Sequence, residues 1–385
     1  MRDVYVVGVG TTRYGELWDQ SLRDLASEAG LRALVDAGLK AEDIDALYGA
    51  NTSSGQFIDQ EHIAALISDY SGISELGIPS IRIEAGSASG GAALHQAFLA
   101  VKSGQYDTIA VGGVEKMTDV PSEVANEIIG GSLDAEWETF LGATEPSIAA
   151  LIARRHEYDR GVKRENYAIL PVISHKHASM NETSHFKNVI KIDDVINASL
   201  VAEPLTVYDT APVSDGASAV IITSDKKKIK SASNPIKIKS SSMANDFLSL
   251  HDRNRIDTFK AVKKSTSKAL EGAGITLEKV DGFEIHDSYS IAGLIQLEEL
   301  FGKEALRMSE NGEYYYDSSC PINVSGGLKA HGNPLGATGV YQAVEATIQL
   351  RGNAGLRQVK DSRNFMIHNM GGLGTTSVTT ILGVE

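Results

Sequence analysis

The chain has 385 residues, of which 42% are hydrophobic and 22% are charged, a balance typical of a folded globular protein and not of a disordered or fibrous one. Its formal net charge of −14 at pH 7 argues against nucleic acid and anionic membranes as general partners, because both would repel it. No apolar run approaches the roughly 20 residues of a membrane span, and one cysteine is too few for a disulfide or a thiolate metal site. We therefore expect a cytoplasmic protein without a metal centre.

In chain order, the first predicted elements are a strand at 4–10 and a helix that Ser21 and Asp24 open as a capping-box pair. The stretch that follows, residues 33–48, is repeated at 269–284: both read as a helix ended by Ala-Gly, a second helix start and an emerging strand. Because the two copies keep one constant offset, they indicate an internal duplication. We predict two α/β halves with loops that meet at a shared site.

The next stretch, "IRIEAGSASGG" at 81–91, reads as a buried strand that runs through small residues into a helix. The helix is predicted from the apolar face of Leu94, Ala97, Phe98 and Val101. Ser87 then lies beside a helix N-terminus, where backbone N–H groups and the helix dipole stabilise an anion or oxyanion. An alternative that the residues leave open is that Ser87 only caps the helix.

Residues 119–200 interrupt the strand–helix rhythm with polar helical sequence, and we interpret them as an insertion in the first half. We predict a first half at 1–225, a basic linker at 226–234 and a second half at 235–385. The second half repeats the Gly-rich strand-to-helix junction in "NVSGGLKAHGNPLGATG". No arrangement of its histidines has the spacing of a metal site.

Five motifs resemble those of the thiolase superfamily in order and spacing: "EAGSASGGAAL", "PVSDGASA", "FEIHDSYS", "NVSGGLKAHGNPLGATG" and "NMGGLGTTS". The resemblance covers essentially the whole chain and is greatest to archaeal acetoacetyl-CoA thiolases and sterol-carrier-type thiolases. It implies an α/β thiolase fold in which two duplicated βαβαβαββ halves pack as a five-layer α-β-α-β-α sandwich with an inserted helical loop domain. Each half is then expected to contain a five-stranded sheet, and dimers to pair through sheet edges.

The resemblance also implies the catalytic positions, and this sequence departs from the family at three of them. Ser87 stands where thiolases have the nucleophilic cysteine, Asn333 where they have the histidine of Gly-His-Pro, and Asn369 where many have a second cysteine. His286, in "HDSYS", keeps the family histidine that orients an oxyanion or its water and could also serve as base. His331, two residues before Asn333, is a further candidate.

The same resemblance points to coenzyme A thioesters, acetyl-CoA or acetoacetyl-CoA, as substrates, with no covalently bound cofactor. Glycine-rich motif residues let a backbone approach a thioester closely, and Arg residues in "LHDRNRID" can contact CoA phosphates, although a solvated loop is an equal alternative. The candidate CoA contacts are Arg253, Arg255, Ser325, Gly326, Gly371 and Gly372.

Three interpretations follow from the altered site. The first is a thiolase-like acyltransferase that forms or cleaves acetoacetyl-CoA with a Ser87–His286–Asn333 set; the second is a non-catalytic acyl-CoA-binding or lipid-transfer-like subunit; the third is a substituted copy of an active thiolase. An alcohol is a weaker nucleophile than a thiol at neutral pH, so an acyltransferase that uses Ser87 would differ in its first step from an ordinary thiolase.

The resemblance implies a homodimer or homotetramer, and as partners a 3-hydroxy-3-methylglutaryl-CoA synthase and a small OB-fold protein.

Overall fold

A computed structural model describes residues 2–384. The strands are β1 (Tyr5–Thr11), β2 (Ala46–Ala50), β3 (Ser80–Ile83), β4 (Thr108–Glu115), β5 (Leu200–Ala202), β6 (Leu205–Thr206), β7 (Gly216–Thr223), β8 (Ile236–Asn245), β9 (Gly282–Glu284), β10 (Asn364–Gly371) and β11 (Thr376–Gly383). The α-helices are α1 (Leu22–Ala37), α2 (Ser54–Phe57), α3 (Ile63–Tyr70), α4 (Ser89–Ser103), α5 (Ser122–Gly130), α6 (Glu145–Arg160), α7 (Arg164–Ala178), α8 (Ile192–Ile196), α9 (Lys226–Ser231), α10 (Lys260–Ala273), α11 (Ser290–Phe301), α12 (Glu304–Glu310) and α13 (Thr338–Leu350).

The duplicated segments fold alike. Helix α1 begins with the predicted capping box of Ser21 and Asp24, and both α1 and α10 end at a left-handed glycine, Gly38 with φ 64° and Gly274 with φ 66°. That backbone conformation favours glycine because a Cβ would be strained there. A short 3₁₀ turn and then a strand, β2 or β9, follow each glycine. The predicted duplication therefore describes two copies of one folding unit.

Nine strands form one sheet in the order β3-β2-β4-β7-β1-β8-β11-β10-β9. The two halves meet at the β1–β8 pair, which has only two residue pairs in register, Tyr5–Lys237 and Val6–Ile236. The first half contributes the expected five strands to this sheet, and its β5 and β6 form a separate pair. The second contains four, and its fifth position is filled by a single bridge between Phe283 and Ile322. Pro321 precedes that bridge, and since proline has no backbone N–H it interrupts the ladder.

The layers follow from which helices cover each face. Helices α4 and α13 pack on each other and contact strands of both halves, whereas α1 and α3 cover the outer face of the first half and α10 that of the second. The predicted apolar face of α4 is confirmed: Leu94, Ala97, Phe98 and Val101 are all buried. The two halves of the nine-stranded sheet lie on opposite sides of α4 and α13, so the order helix, half-sheet, helix, half-sheet, helix is the expected five-layer sandwich.

The insertion is helical, as predicted, and contains α5 to α8. Helix α7 packs on α11 and on a π-helical turn at Gly327–His331, so the insertion covers the second half of the molecule. The predicted linker 226–234 contains α9, whose first turn is capped by Asp225. None of the helices within residues 2–384 combines the length and apolar character needed to cross a bilayer.

Candidate active site

Ser87 lies between β3 and α4, as predicted, but the strand before it is not buried. Ile81 is 44% exposed because β3 is the outermost strand of the sheet, and burial of a strand depends on its position in the strand order. Ser87 does not cap α4 either: the N-cap is Ala88, and Ser89 closes the turn by donating to the Gly86 carbonyl at 2.6 Å. The side chain of Ser87 is therefore available for another role.

Asn369, at the end of β10, connects the Ser87 loop to the second half. Its Oδ1 accepts a hydrogen bond from the Gly91 N–H at 2.9 Å, and its Nδ2 donates to the Ser87 carbonyl at 3.1 Å. Nδ2 also lies 3.1 Å from Thr338 Oγ1 and 3.2 Å from His286 Nδ1. The two backbone partners fix which end of the amide is oxygen and which is nitrogen. One buried side chain thus holds Ser87, His286 and Thr338 around it.

This contact determines the tautomer of His286. Because the group that faces Nδ1 is an NH2 donor, Nδ1 must accept, and the proton of the neutral ring is on Nε2. His286 Nε2 makes no hydrogen bond to any of residues 2–384. The ring can therefore donate a hydrogen bond to a carbonyl oxygen, but it cannot accept a proton at Nε2 without first losing one.

A second buried amide supports the ring from behind. Gln296 Oε1 accepts hydrogen bonds from the His286 N–H at 3.0 Å and from His368 Nδ1 at 2.8 Å, and His368 Nε2 lies 2.7 Å from Ser377 Oγ. Burial, and then the neighbouring His368, lower the pKa of His286 to about 3, and burial lowers that of His368 to about 3 as well. Both rings are neutral at physiological pH.

Two helix N-termini converge on this centre. The first turn of α4 supplies the Gly91 N–H, and α13 begins at Thr338, whose hydroxyl lies 3.2 Å from the Ser87 carbonyl. A Cβ on Gly91 would lie 2.9 Å from Asn369 Cβ, so the close approach needs glycine. The positive ends of two helix dipoles favour a developing negative charge here and disfavour a protonated histidine.

The other two predicted catalytic residues, Asn333 and His331, make no contact with this cluster through their hydrogen bonds. The Asn333 N–H donates to Ser214 Oγ at 3.3 Å, while its Oδ1 is buried without a partner among residues 2–384. His331 stacks on Tyr341 with ring centroids 3.7 Å apart, and burial lowers its pKa well below the usual value. None of their hydrogen bonds reaches Ser87 or His286, so a catalytic role for either stays a prediction.

The predicted CoA contacts divide into buried and exposed residues. Arg253 donates to the carbonyls of Leu373 at 2.9 Å and Gly372 at 3.4 Å, so it holds the loop after β10, while Arg255 is half exposed and paired with Asp257. Ser325 is buried and donates to Glu284 at 2.6 Å.

Of the predicted glycines, Gly326 packs on Ala178 and Gly371 on Ala85 and Ala88 of the Ser87 loop, and Gly372 lies beside Gly86 in that loop. Contact of any of the predicted residues with CoA stays a prediction.

Cys320 is buried, and burial raises the pKa of its thiol to about 12.

Two residues of the cluster were missed from the sequence. Thr338 lies in a motif that was identified, and its place at the start of a helix was a usable signal. Gln296 lies in the middle of α11 and contacts His286 only through tertiary packing, so no local pattern could have indicated it. The predicted site residues that the structure brings together are Ser87, His286 and Asn369.

Comparison with known proteins agrees with this architecture. The family model "Thiolase, N-terminal domain" matches residues 4–226, and "Thiolase C-terminal domain-like" matches residues 242–384. An acetyl-CoA acetyltransferase of Methanothermobacter thermautotrophicus is 44% identical over 384 residues, which cover 99% of both chains. Sterol carrier protein 2 of Gallus gallus is 31% identical over 99% of this chain and 71% of its own length.

Among solved structures, the Ltp2–ChsH2(DUF35) aldolase matches with a TM-score of 0.85 at 23% identity, over 99% of this chain and 98% of that one. At this identity the match shows the fold alone. The two family models together span nearly the whole chain, and the chain belongs to the thiolase family. Its relatives support thiolase-type chemistry on acyl-CoA.

Proposed function

We propose that this protein is an acyl-CoA acyltransferase of the acetyl-CoA C-acetyltransferase type, which forms or cleaves acetoacetyl-CoA with Ser87 as acyl acceptor. The observation that carries the proposal is the Asn369-centred cluster. It fixes Ser87 at the N-terminus of α4 and leaves the Nε2–H of His286 free to bind a thioester oxygen. Coenzyme A enters as the carrier of the substrate, with no covalently bound cofactor.

In the first step the Ser87 oxygen attacks the thioester carbonyl. In synthesis the C–S bond of acetyl-CoA breaks, an ester forms at Ser87, and the hydroxyl proton passes to the departing CoA sulfur. In cleavage Ser87 attacks the 3-keto carbonyl of acetoacetyl-CoA instead, the bond between C2 and C3 breaks, and the proton passes to the α-carbon of the departing acetyl-CoA. The oxyanion that forms on the way is stabilised by His286 Nε2–H and by the positive end of α4. In the second step the ester bond at Ser87 breaks as the acyl group moves to the α-carbon of a second acetyl-CoA in synthesis, or to the sulfur of CoA in cleavage. The proton lost by that α-carbon or thiol returns to the Ser87 oxygen. Since no base among residues 2–384 is hydrogen-bonded to the Ser87 side chain, we expect turnover far below that of a cysteine enzyme.

The lack of a base favours a second candidate, an acyl-CoA-binding subunit without turnover. The amide of Asn369 forces His286 to carry its proton on Nε2, so the ring cannot remove the proton of Ser87 as a histidine does in a serine hydrolase. In this alternative the same donors hold the thioester carbonyl, and no acyl group is transferred.

Peptide mass spectrometry separates the two candidates. The protein is incubated with acetyl-CoA or acetoacetyl-CoA, and the Ser87 peptide is tested for an added acetyl group. The acyltransferase predicts an acetyl group that is absent in Ser87→Ala and present in the matched control Ser233→Ala, at an exposed serine of the linker. CoA binding without an acetyl group would favour the binding subunit.

Restoring the family residues gives an independent test. Ser87→Cys with Asn333→His should raise thiolysis of acetoacetyl-CoA by orders of magnitude, because a thiol is partly ionised near neutral pH and the new histidine supplies a base. A double variant that binds CoA and stays inactive would show that this site no longer supports thiolase chemistry.

We further propose a cytoplasmic homodimer or homotetramer that works beside a 3-hydroxy-3-methylglutaryl-CoA synthase and a small OB-fold protein. The half-exposed edge strand β3 supports pairing between sheets of two copies. The Ltp2–ChsH2(DUF35) aldolase, which shares the fold, is named for two proteins, and this supports a partner protein for this chain. Ile81→Lys should produce a monomer in analytical ultracentrifugation, and an unchanged assembly would exclude pairing through β3.

A further inference from the structure

A cavity of about 450 Å³ lies between α1, α3 and the outer face of the first-half sheet. Its walls are mostly apolar and include Leu34, Ile44, Leu47 and Ile221. Cavities of 300–1,000 Å³ with apolar walls and a few polar groups are typical of small-molecule sites. This volume is roughly three times that of an engineered apolar cavity that holds one benzene ring, which corresponds to an apolar chain of roughly a dozen carbons.

The cavity exists because glycines, which have no side chain, line it on two sides. A Cβ added at Gly30 of α1 or at Gly112 of β4 would meet no atom within 4 Å, although both residues line the cavity. The apolar walls of such a cavity lack packing partners when it is empty, which is unfavourable for folding. The small residues therefore maintain a space that a ligand can fill.

The cavity is separate from the Ser87 site. Side chains of a strand alternate between its two faces, and a Cβ on the next residue, Gly113, would lie 2.5 Å from the Gly336 carbonyl of the motif that precedes α13. Gly112 therefore faces the cavity, and Gly113 faces the central helices. The thickness of the sheet lies between the cavity and the acyl-CoA chemistry.

One end of the cavity is polar. Ser27 lines it, and its buried Oγ has no hydrogen-bond partner among residues 2–384. Arg23 lies one turn earlier on the same helix face, with its guanidinium 5.9 Å from the ring centre of Tyr70, which also lines the cavity. Tyr70 donates to Asp24 at 3.1 Å. The lining residues Leu31, Tyr70 and Ser71 are exposed, so this end opens to solvent.

We propose that this cavity is a binding site for a single-chain fatty acid, with the chain against the apolar walls and the carboxylate at Ser27 and Arg23. The orphan hydroxyl donates to the carboxylate, and Arg23 supplies the positive charge. The site is independent of the thioester site and of the function proposed for it.

The test is calorimetric titration of the full chain with dodecanoate. We expect one equivalent to bind, without competition from acetyl-CoA. Gly112→Leu fills the cavity from the sheet and should weaken binding at least tenfold. Ser27→Leu fills it from the helix, so a folding defect in one variant leaves the other informative. Thermal unfolding of both variants checks that each is folded.

The head-group contact has its own control. Arg23→Gln should weaken dodecanoate several-fold and leave dodecanol unchanged, whereas Arg13→Gln, at an exposed arginine outside the cavity lining, should leave both ligands unchanged. No saturable binding to the unmodified protein, or equal binding to Gly112→Leu and Ser27→Leu, would overturn the proposal. Displacement of dodecanoate by acetyl-CoA would place the ligand in the thioester site and would also overturn it.

Discussion

Replacing Asn369 by alanine should destabilise the protein more than any single surface change. The side chain is buried, and its removal leaves the Gly91 N–H without an acceptor and His286 Nδ1 without a donor, while the Ser87 carbonyl keeps Thr338. A buried polar group left unpaired costs about 1–3 kcal/mol. With two such groups and a small void, we expect the free energy of unfolding to fall by about 3 kcal/mol.

Urea denaturation followed by circular dichroism measures this loss as a lower midpoint at unchanged slope. Asn353→Ala is the matched control, since Asn353 is exposed at the end of α13 and should change the free energy of unfolding by less than about 0.5 kcal/mol. If Asn369→Ala lowers the free energy of unfolding by no more than this control does, the amide does not connect the two halves as the geometry indicates.

Three further predictions concern other groups. Burial raises the pKa of Glu145 from its ordinary 4.5 to about 7, so the folded state binds its proton more tightly than the unfolded state, and stability falls as pH rises from about 4.5 to 7. Glu145→Gln should therefore stabilise the protein at pH 8 by about 3 kcal/mol and leave it unchanged at pH 4, and equal effects at both pH values in urea titrations would contradict this. Gly30→Ala should raise the free energy of unfolding by about 0.5–1 kcal/mol, because Gly30 is inside a helix and its Cβ has space; a lower melting temperature would show that the space is not there. Nitrogen NMR should find His286 neutral with its proton on Nε2 from pH 8 to pH 4, and a titration near pH 6 would refute the assigned environment.

Local signals in the sequence predicted local structure well. The Ala-Gly pair that ends each copy of the repeat correctly placed Gly38 and Gly274 at helix ends, because a left-handed residue after a helix is a requirement of a few neighbouring residues. Burial of the strand before Ser87 was predicted wrongly. Its apolar residues are the same in an edge strand and a central one, and the strand order is set by contacts far apart in sequence.

The candidate site was predictable in position but not in geometry. The motifs located Ser87, His286 and Asn369, whereas the tautomer of His286 follows from an amide 83 residues away along the chain. The contact of Gln296 with His286 could not be predicted either, because nothing in the local sequence of a helix indicates that one of its glutamines supports a distant histidine. Such contacts are determined by the packing of the two halves.

The narrow β1–β8 junction and the internal duplication have an evolutionary consequence. A single ancestral half would have had to pair with a copy of itself to form the centre, because Ser87 comes from one half and His286, Thr338 and Asn369 from the other. After fusion into one chain, the two copies of the strand-to-helix junction could diverge in sequence. One copy could then keep Ser87 and the other the residues that hold it, which an assembly of identical halves does not allow.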